Sequence, residues 1–197
     1  VLVLPTLAVG LSVEHRAFAG TLSLSTASAL QVMRETGESV RRAGVRKLLM
    51  FNAHGGHVAA MDLAARELRD CGLTVFHTSY EQLPLGSALE AFDAEERRYG
   101  VHAGEMETSM MLALAPQLVR MDLAQAFASS AQSRVQSHPL LGQGHSRMGW
   151  HAQDLHASGA VGRAVAADAQ RGQALLDAVS QQLALLLRQL VAFDPLN

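Results

Sequence analysis

The chain has 197 residues, 49% of them hydrophobic and 17% charged, a size at which one domain buries a sizeable core without staples. Sixteen Lys plus Arg against eighteen Asp plus Glu leave a formal charge of −2, and no long run of one sign marks a nucleic-acid partner. Apolar runs such as 183–187 are broken by Gln and Arg before the roughly 18 residues of a membrane span, so a membrane partner is not expected. The single cysteine, Cys71, excludes an internal disulfide and reads as a half-buried thiol. Without a basic leader and cleavage site, the cytoplasm is the default location. One domain over 1–197 is expected, with an N-terminal segment missing ahead of Val1, because the chain opens inside an apolar run.

Residues 1–4, halted by Pro5, suit a buried strand. A glycine-bounded polar loop follows over 10–21. Ser25 or Thr26 caps a helix to about Ala43, in which Leu30, Met33 and Val40 recur at helical spacing, Gly37 weakens the pattern and Gly44 stops it. The run 47–51 predicts a buried strand, NAHGGH (52–57) a tight turn, 58–71 an amphipathic helix ended by Gly72, and LTVFH a second strand. Strand, helix and strand within about 30 residues form a βαβ unit and predict an α/β fold with a mostly parallel sheet. Residues 81–101 read as a polar excursion, Glu105 to Leu114 as a helix, and 129–160 as a long irregular segment. Helical periodicity returns over 164–193, where Leu175, Leu176, Val179, Leu183, Leu186, Leu187 and Leu190 form a broad stripe suited to docking on the sheet or on another subunit.

Ligands of α/β sheets gather beyond the carboxyl ends of strands, the place held by NAHGGH. His54 follows the strand directly, and Gly55 and Gly56 let backbone or ligand approach closely; it suits a metal ligand or a turn cap. The second cluster is HAGEMETSMMLAL, 102–114. A helix from His102 puts His102 and Glu105 on one face and Glu107 about 200° from Glu105, so Glu107 either supports the helix dipole or backs the pocket from behind. Imidazole with carboxylate suits zinc, manganese or iron. Glu14 and His15, and His138, His145, Trp150, His151 and His156 in the irregular segment, are weaker candidates. Neither a Gly-x-Ser-x-Gly elbow nor a phosphate loop is present, against serine hydrolases and NTPases.

Four segments together resemble the creatininase-type metal-dependent amidohydrolases. LAVGLSVEHRAFAGTLSL matches through Gly10, Ser12, Glu14, His15, Phe18, Gly20, Thr21 and Ser23; FNAHGGH resembles the family's Asn-Gly-His-Gly-Gly-Asn turn, HAGEMETSMMLAL its His-Ala-Gly-Glu-x-Glu-Thr-Ser helix start, and 158–176 its closing segment. The resemblance implies a three-layer α/β/α fold and a centre of two divalent ions per subunit, zinc, manganese or iron, with His54 and Glu105 as ligands and His102 as acid/base group. Two ions sharing a water generate hydroxide near neutral pH and polarise the carbonyl. Ser12, Gly55, Gly56, His57 and Glu107 then belong to the substrate pocket or its support, and the substrate is a small molecule with a non-peptide or cyclic amide. Family members are commonly homo-oligomers, and the resemblance implies a hexamer. The family's Glu-x-His-Gly-x-His-Leu segment and the aspartate after it, which supply further ligands, have no counterpart in the chain. His57 stands where Asn is usual and Ala53 where Gly is. The alternative is a non-catalytic oligomeric or binding member of the family.

Overall fold

The computed structural model describes residues 1–142 and 145–194. The chain divides into two compact units, one formed by Val1–Pro84 with Gln181–Asn197, the other by Leu85–Ser180.

The first unit is built on a parallel pair, β1 (Lys47–Asn52) and β2 (Thr74–Ser79), in register from Lys47 opposite Thr74 to Asn52 opposite Ser79. The crossover between them is α2 (Val58–Asp70), and α1 (Thr26–Arg42) precedes β1. Ser25 caps α1 by accepting the Ser28 N–H at 3.1 Å. Helix α2 packs on both β2 and α1, burying Ala60, Met61, Ala64 and Leu68. Gly37, which local propensity disfavours, has its reason at the helix crossing: a Cβ there would stand 2.5 Å from both Leu68 methyls. The βαβ unit therefore forms where the hydrophobic periods put it.

Residues 1–4 form no strand; Val1, Leu2 and Val3 are 81–92% exposed. Among the described residues β1 and β2 pair only with each other, and an apolar run without a neighbouring ladder has no partner for its amides. Cys71, expected half-buried, is exposed at the end of α2.

The segment 81–101, which lies in the second unit from Leu85 on, is more ordered than its polarity suggests. It contains α3 (Ser87–Glu90) and α4 (Ala94–Tyr99), and Phe92 between them is fully buried. Asp93 starts α4 by accepting the Glu96 N–H at 3.1 Å. Next come α5 (Glu105–Leu114), β3 (Ala126–Phe127), α6 (Ser130–Ser137), α7 (Ala152–Leu155) and β4 (Gly162–Arg163), with β3 and β4 antiparallel. The expectation of an irregular 129–160 is thus corrected in part: 130–137, 139–141 and 152–155 are helical, 145–151 and 156–160 are irregular, and 143 and 144 lie outside the described residues. Short helices form where side chains cap them, Ser129 accepting the Ala131 N–H at 3.2 Å and Asp154 the His151 N–H at 2.8 Å.

The last helix, α8, runs Ala169–Ala192. It starts later than periodicity suggests because 164–166 forms a 3-10 turn and Asp168 accepts the Arg171 N–H at 2.8 Å. Every residue of the expected stripe is buried or half-buried. No helix among the described residues is long and apolar enough to cross a membrane.

Candidate active site

The candidate residues form two constellations, one in each unit. In the first, β1 delivers Asn52 to the carboxyl end of the parallel pair, where it is 4% exposed. Its amide group donates to Ser79 Oγ at 2.9 Å and to the His54 carbonyl at 2.8 Å. Its Oδ1 accepts the His54 N–H at 3.2 Å and faces His57 Nδ1 at 3.2 Å. One buried amide thus locks the turn that carries both histidines.

The tautomer of His57 follows from its partners. The Leu11 N–H donates to Nε2 at 2.8 Å, so that nitrogen bears a lone pair and the proton sits on Nδ1, pointing at Asn52. Burial holds the imidazole below its ordinary pKa of 6.5, the neighbouring His54 lowers it further, and Glu14 opposes both. His57 is a neutral structural clasp between the 10–12 loop and the turn. The clasp leaves no space on the opposite side, since a Cβ on Gly10 would lie 1.9 Å from Nε2.

His54 faces two acceptors. Its Nε2 lies 3.1 Å from the Leu11 carbonyl and 3.0 Å from Glu14 Oε1; a carbonyl accepts only, so Nε2 carries a proton. Glu14, 9% exposed, is held by a 3-10 turn at 13–15. The same oxygen accepts from Ser12 Oγ at 3.1 Å and stands 3.7 Å from His15 Nε2. Gly56 is required by this crowding: a Cβ there would sit 2.6 Å from His54 Nε2 and 2.9 Å from Glu14 Oε1, whereas one on Gly55 meets nothing within 4 Å. In the sequence alone Glu14 and His15 rank as weak candidates and Asn52 has no role. Their signals are the Glu-His pair in a glycine-bounded loop and an amide residue at a strand's carboxyl end.

In the second unit the chain is not helical from His102. Ala103 has φ +53°, Gly104 is the N-cap, and α5 begins at Glu105. The shared face expected for His102 and Glu105 is therefore corrected. It is Glu107 whose Oε2 lies 3.8 Å from His102 Nδ1, and the same oxygen accepts the Ala103 N–H at 2.6 Å, supporting the left-handed residue. His102 is also tied through its backbone, its carbonyl accepting the Val161 N–H at 2.8 Å.

Glu105 is 1% exposed. Arg163 Nη2 donates to its Oε2 at 3.0 Å, and Arg171 donates to Oε1. Arg163 also pairs with Asp93, and its guanidinium is pushed further up in pKa by Glu105 first, then by Asp93. Behind the helix start lies Glu96, 3% exposed, which accepts the Glu105 N–H at 2.6 Å and the Arg163 N–H at 2.8 Å. Two buried carboxylates, one capping α5 and one neutralising two arginines, organise this unit. Neither arginine stands out in the sequence, because their partners lie 58 and 66 residues away.

Donor chemistry tests whether a metal fits. His54 Nε2 is protonated toward Leu11 and Glu14, and both oxygens of Glu105 are engaged by guanidinium groups. Among the described residues no three His, Cys, Asp or Glu side chains are grouped as a metal site. The described residues alone do not complete a two-metal centre.

A βαβ unit with a histidine-glycine turn at its carboxyl end is a frame in which α/β domains bind ligands. The model of the creatininase family, described as creatinine amidohydrolase, matches residues 1–187, and the chain belongs to that family. It is 35% identical over 121 residues to the mycofactocin precursor peptide peptidase of Mycobacterium ulcerans, covering 61% of this chain and 42% of the relative. The chain therefore spans less than half the length of that relative. A creatinine amidohydrolase-like structure from Bacteroides fragilis superposes with a TM-score of 0.73 at 21% identity, over 95% of this chain and 71% of that one. A manganese creatininase structure gives a TM-score of 0.66 at 24% identity, over 87% of this chain and 67% of that one. The creatininase-like α/β fold expected from the motifs is thereby shown.

Proposed function

We propose that the chain acts as a metal-dependent amidohydrolase on a small molecule, cleaving a non-peptide or cyclic amide C–N bond with a metal-activated water. The observation that carries this reading is the family match over residues 1–187, with the His54 turn at the carboxyl end of β1. A divalent ion, zinc, manganese or iron, would supply the activated water; the described residues do not complete a site for it, and every other role falls to the side chains themselves. His54 holds a proton on Nε2 against the buried Glu14 carboxylate, a pair suited to passing a proton on. His102, with 40% of its side chain exposed and Glu107 beside Nδ1, takes the acid/base role that the family resemblance implies, protonating the leaving nitrogen. Asn52 and His57 hold the turn in shape.

A second reading, a non-catalytic oligomeric or binding member of the family, is favoured by one observation, the capture of Glu105 by Arg163 and Arg171. Either reading carries the expectation of one domain and of a homo-oligomer, a hexamer by family habit, in the cytoplasm. In the single chain every residue of the α8 stripe is buried or half-buried, and subunit contact through its half-buried part belongs to the same proposal.

The test supplies the purified full chain with Mn²⁺ or Zn²⁺ and follows product release from creatinine, a linear formamide and a peptide. Chelator-sensitive cleavage of the first two supports the proposal. Cleavage of the peptide alone moves the bond class to peptides, and no cleavage of any favours the non-catalytic reading.

A further inference from the structure

A cavity of about 410 Å³ lies within the second unit, in the size range of small-molecule sites. Neither Glu14, His54, His57, His102, Glu105 nor Glu107 lines it. Its aromatic wall is Tyr99 and Trp150, both packed on the buried cluster Ala131, Leu155 and Val161, so the rings are backed by core. Its charged lining is Arg134, from α6, and Arg147; no Asp, Glu or Lys among the described residues contributes.

Among the described residues these two cations lack counter-charges. The arginine ion pairs there belong to Arg34, Arg66, Arg163 and Arg171, and Arg134 Nε is buried without a hydrogen-bond partner. A partly desolvated guanidinium without an acceptor is costly, and an anion in the cavity offsets that cost. The aromatic wall selects a planar, apolar body, and the guanidinium shape selects a carboxylate over a neutral polar group.

We propose that this cavity binds a small aromatic carboxylate, its ring against Tyr99 and Trp150 and its charge toward Arg134 and Arg147. The site goes beyond amide hydrolysis and stands whether or not the chain is a hydrolase.

Trp150 is the only tryptophan of the chain, so its fluorescence reports occupancy directly. The full chain is titrated with benzoate and, separately, with its neutral isostere benzamide. The expected result is a saturable change with benzoate and binding of benzamide roughly tenfold weaker or worse. Arg134→Gln and Arg147→Gln should each weaken benzoate roughly tenfold while leaving benzamide unchanged. If Arg134→Gln fails to fold by circular dichroism, the exposed Arg147→Gln decides alone. No saturable response to benzoate at millimolar concentration, equal binding of both compounds, or a folded arginine variant with unchanged benzoate affinity would overturn the proposal.

Discussion

Arg171 reaches across 66 residues of sequence to donate to the Glu105 carboxylate. Glu105 is all but sealed from water, while the Arg163 and Arg171 side chains that neutralise it keep 45% and 31% of their surface. The carboxylate is thus an anchor of the second unit whatever else it does.

Removing that anchor should be expensive. Glu105→Ala leaves two guanidiniums facing a cavity and should destabilise by about 2–4 kcal/mol, somewhat below the roughly 3–5 kcal/mol of a wholly buried pair because the arginines stay partly hydrated. Glu105→Gln keeps the shape and should lose less. Urea denaturation of the three proteins measures the series; equal midpoints would remove Glu105 from its structural role.

Gly37 offers a case where local propensity and packing disagree in sign. Alanine in a helix is favoured over glycine by about 1 kcal/mol, yet a Cβ at 37 meets the fully buried Leu68 side chain at 2.5 Å. Overpacking should win, and Gly37→Ala should destabilise by about 1–3 kcal/mol. A raised melting temperature would show that α1 and α2 can separate without cost.

Asp93 carries a pH dependence. Its carboxyl lies below the ordinary 3.8, first because the Glu96 N–H donates to it and then because Arg163 lies close. A folded pKa below the unfolded one contributes stability that is complete above pH 3.8 and is lost as pH falls through the folded value. The wild type should therefore lose more stability than Asp93→Asn between pH 5 and pH 2, values chosen to bracket the roughly 3.9 of a free Asp. Parallel acid-titration curves for the two proteins would contradict this.

How much of the fold and site is legible in the chain follows the range of the interactions. The helices at 26–42 and 58–70, the strands β1 and β2 and the helix at 105–114 are visible because apolar period and caps are local signals. His54 and its glycines are visible for the same reason, a strand ending in a turn. The grouping of Glu14, Ser12 and His15 around His54 is not, since nothing local says which loop returns to the end of β1. The same holds for Glu105: its place at a helix start is readable, its two arginine partners are not. The face shared by His102 and Glu105 fails on one backbone dihedral, the left-handed Ala103, held by contacts with Glu107 and Thr108. Residues 1–4 mislead because an apolar run reads as a strand even where no ladder receives it.

If His102 protonates the leaving nitrogen, His102→Ala should lower turnover by roughly 10² to 10⁴ with the melting temperature nearly unchanged, because the fixed contact with Val161 is made by the backbone carbonyl. Steady-state kinetics beside a thermal melt separates this from a folding defect. Unchanged turnover would leave His102 as a surface residue beside Glu107.

The most direct measurement compares amide hydrolysis by the wild type and by His54→Ala, with metal supplied to both and folding checked by circular dichroism. Hydrolysis by the wild type and a loss of roughly 10² or more in a folded His54→Ala is the expected result. Equal turnover by the two folded proteins would contradict a site centred on the turn that closes β1.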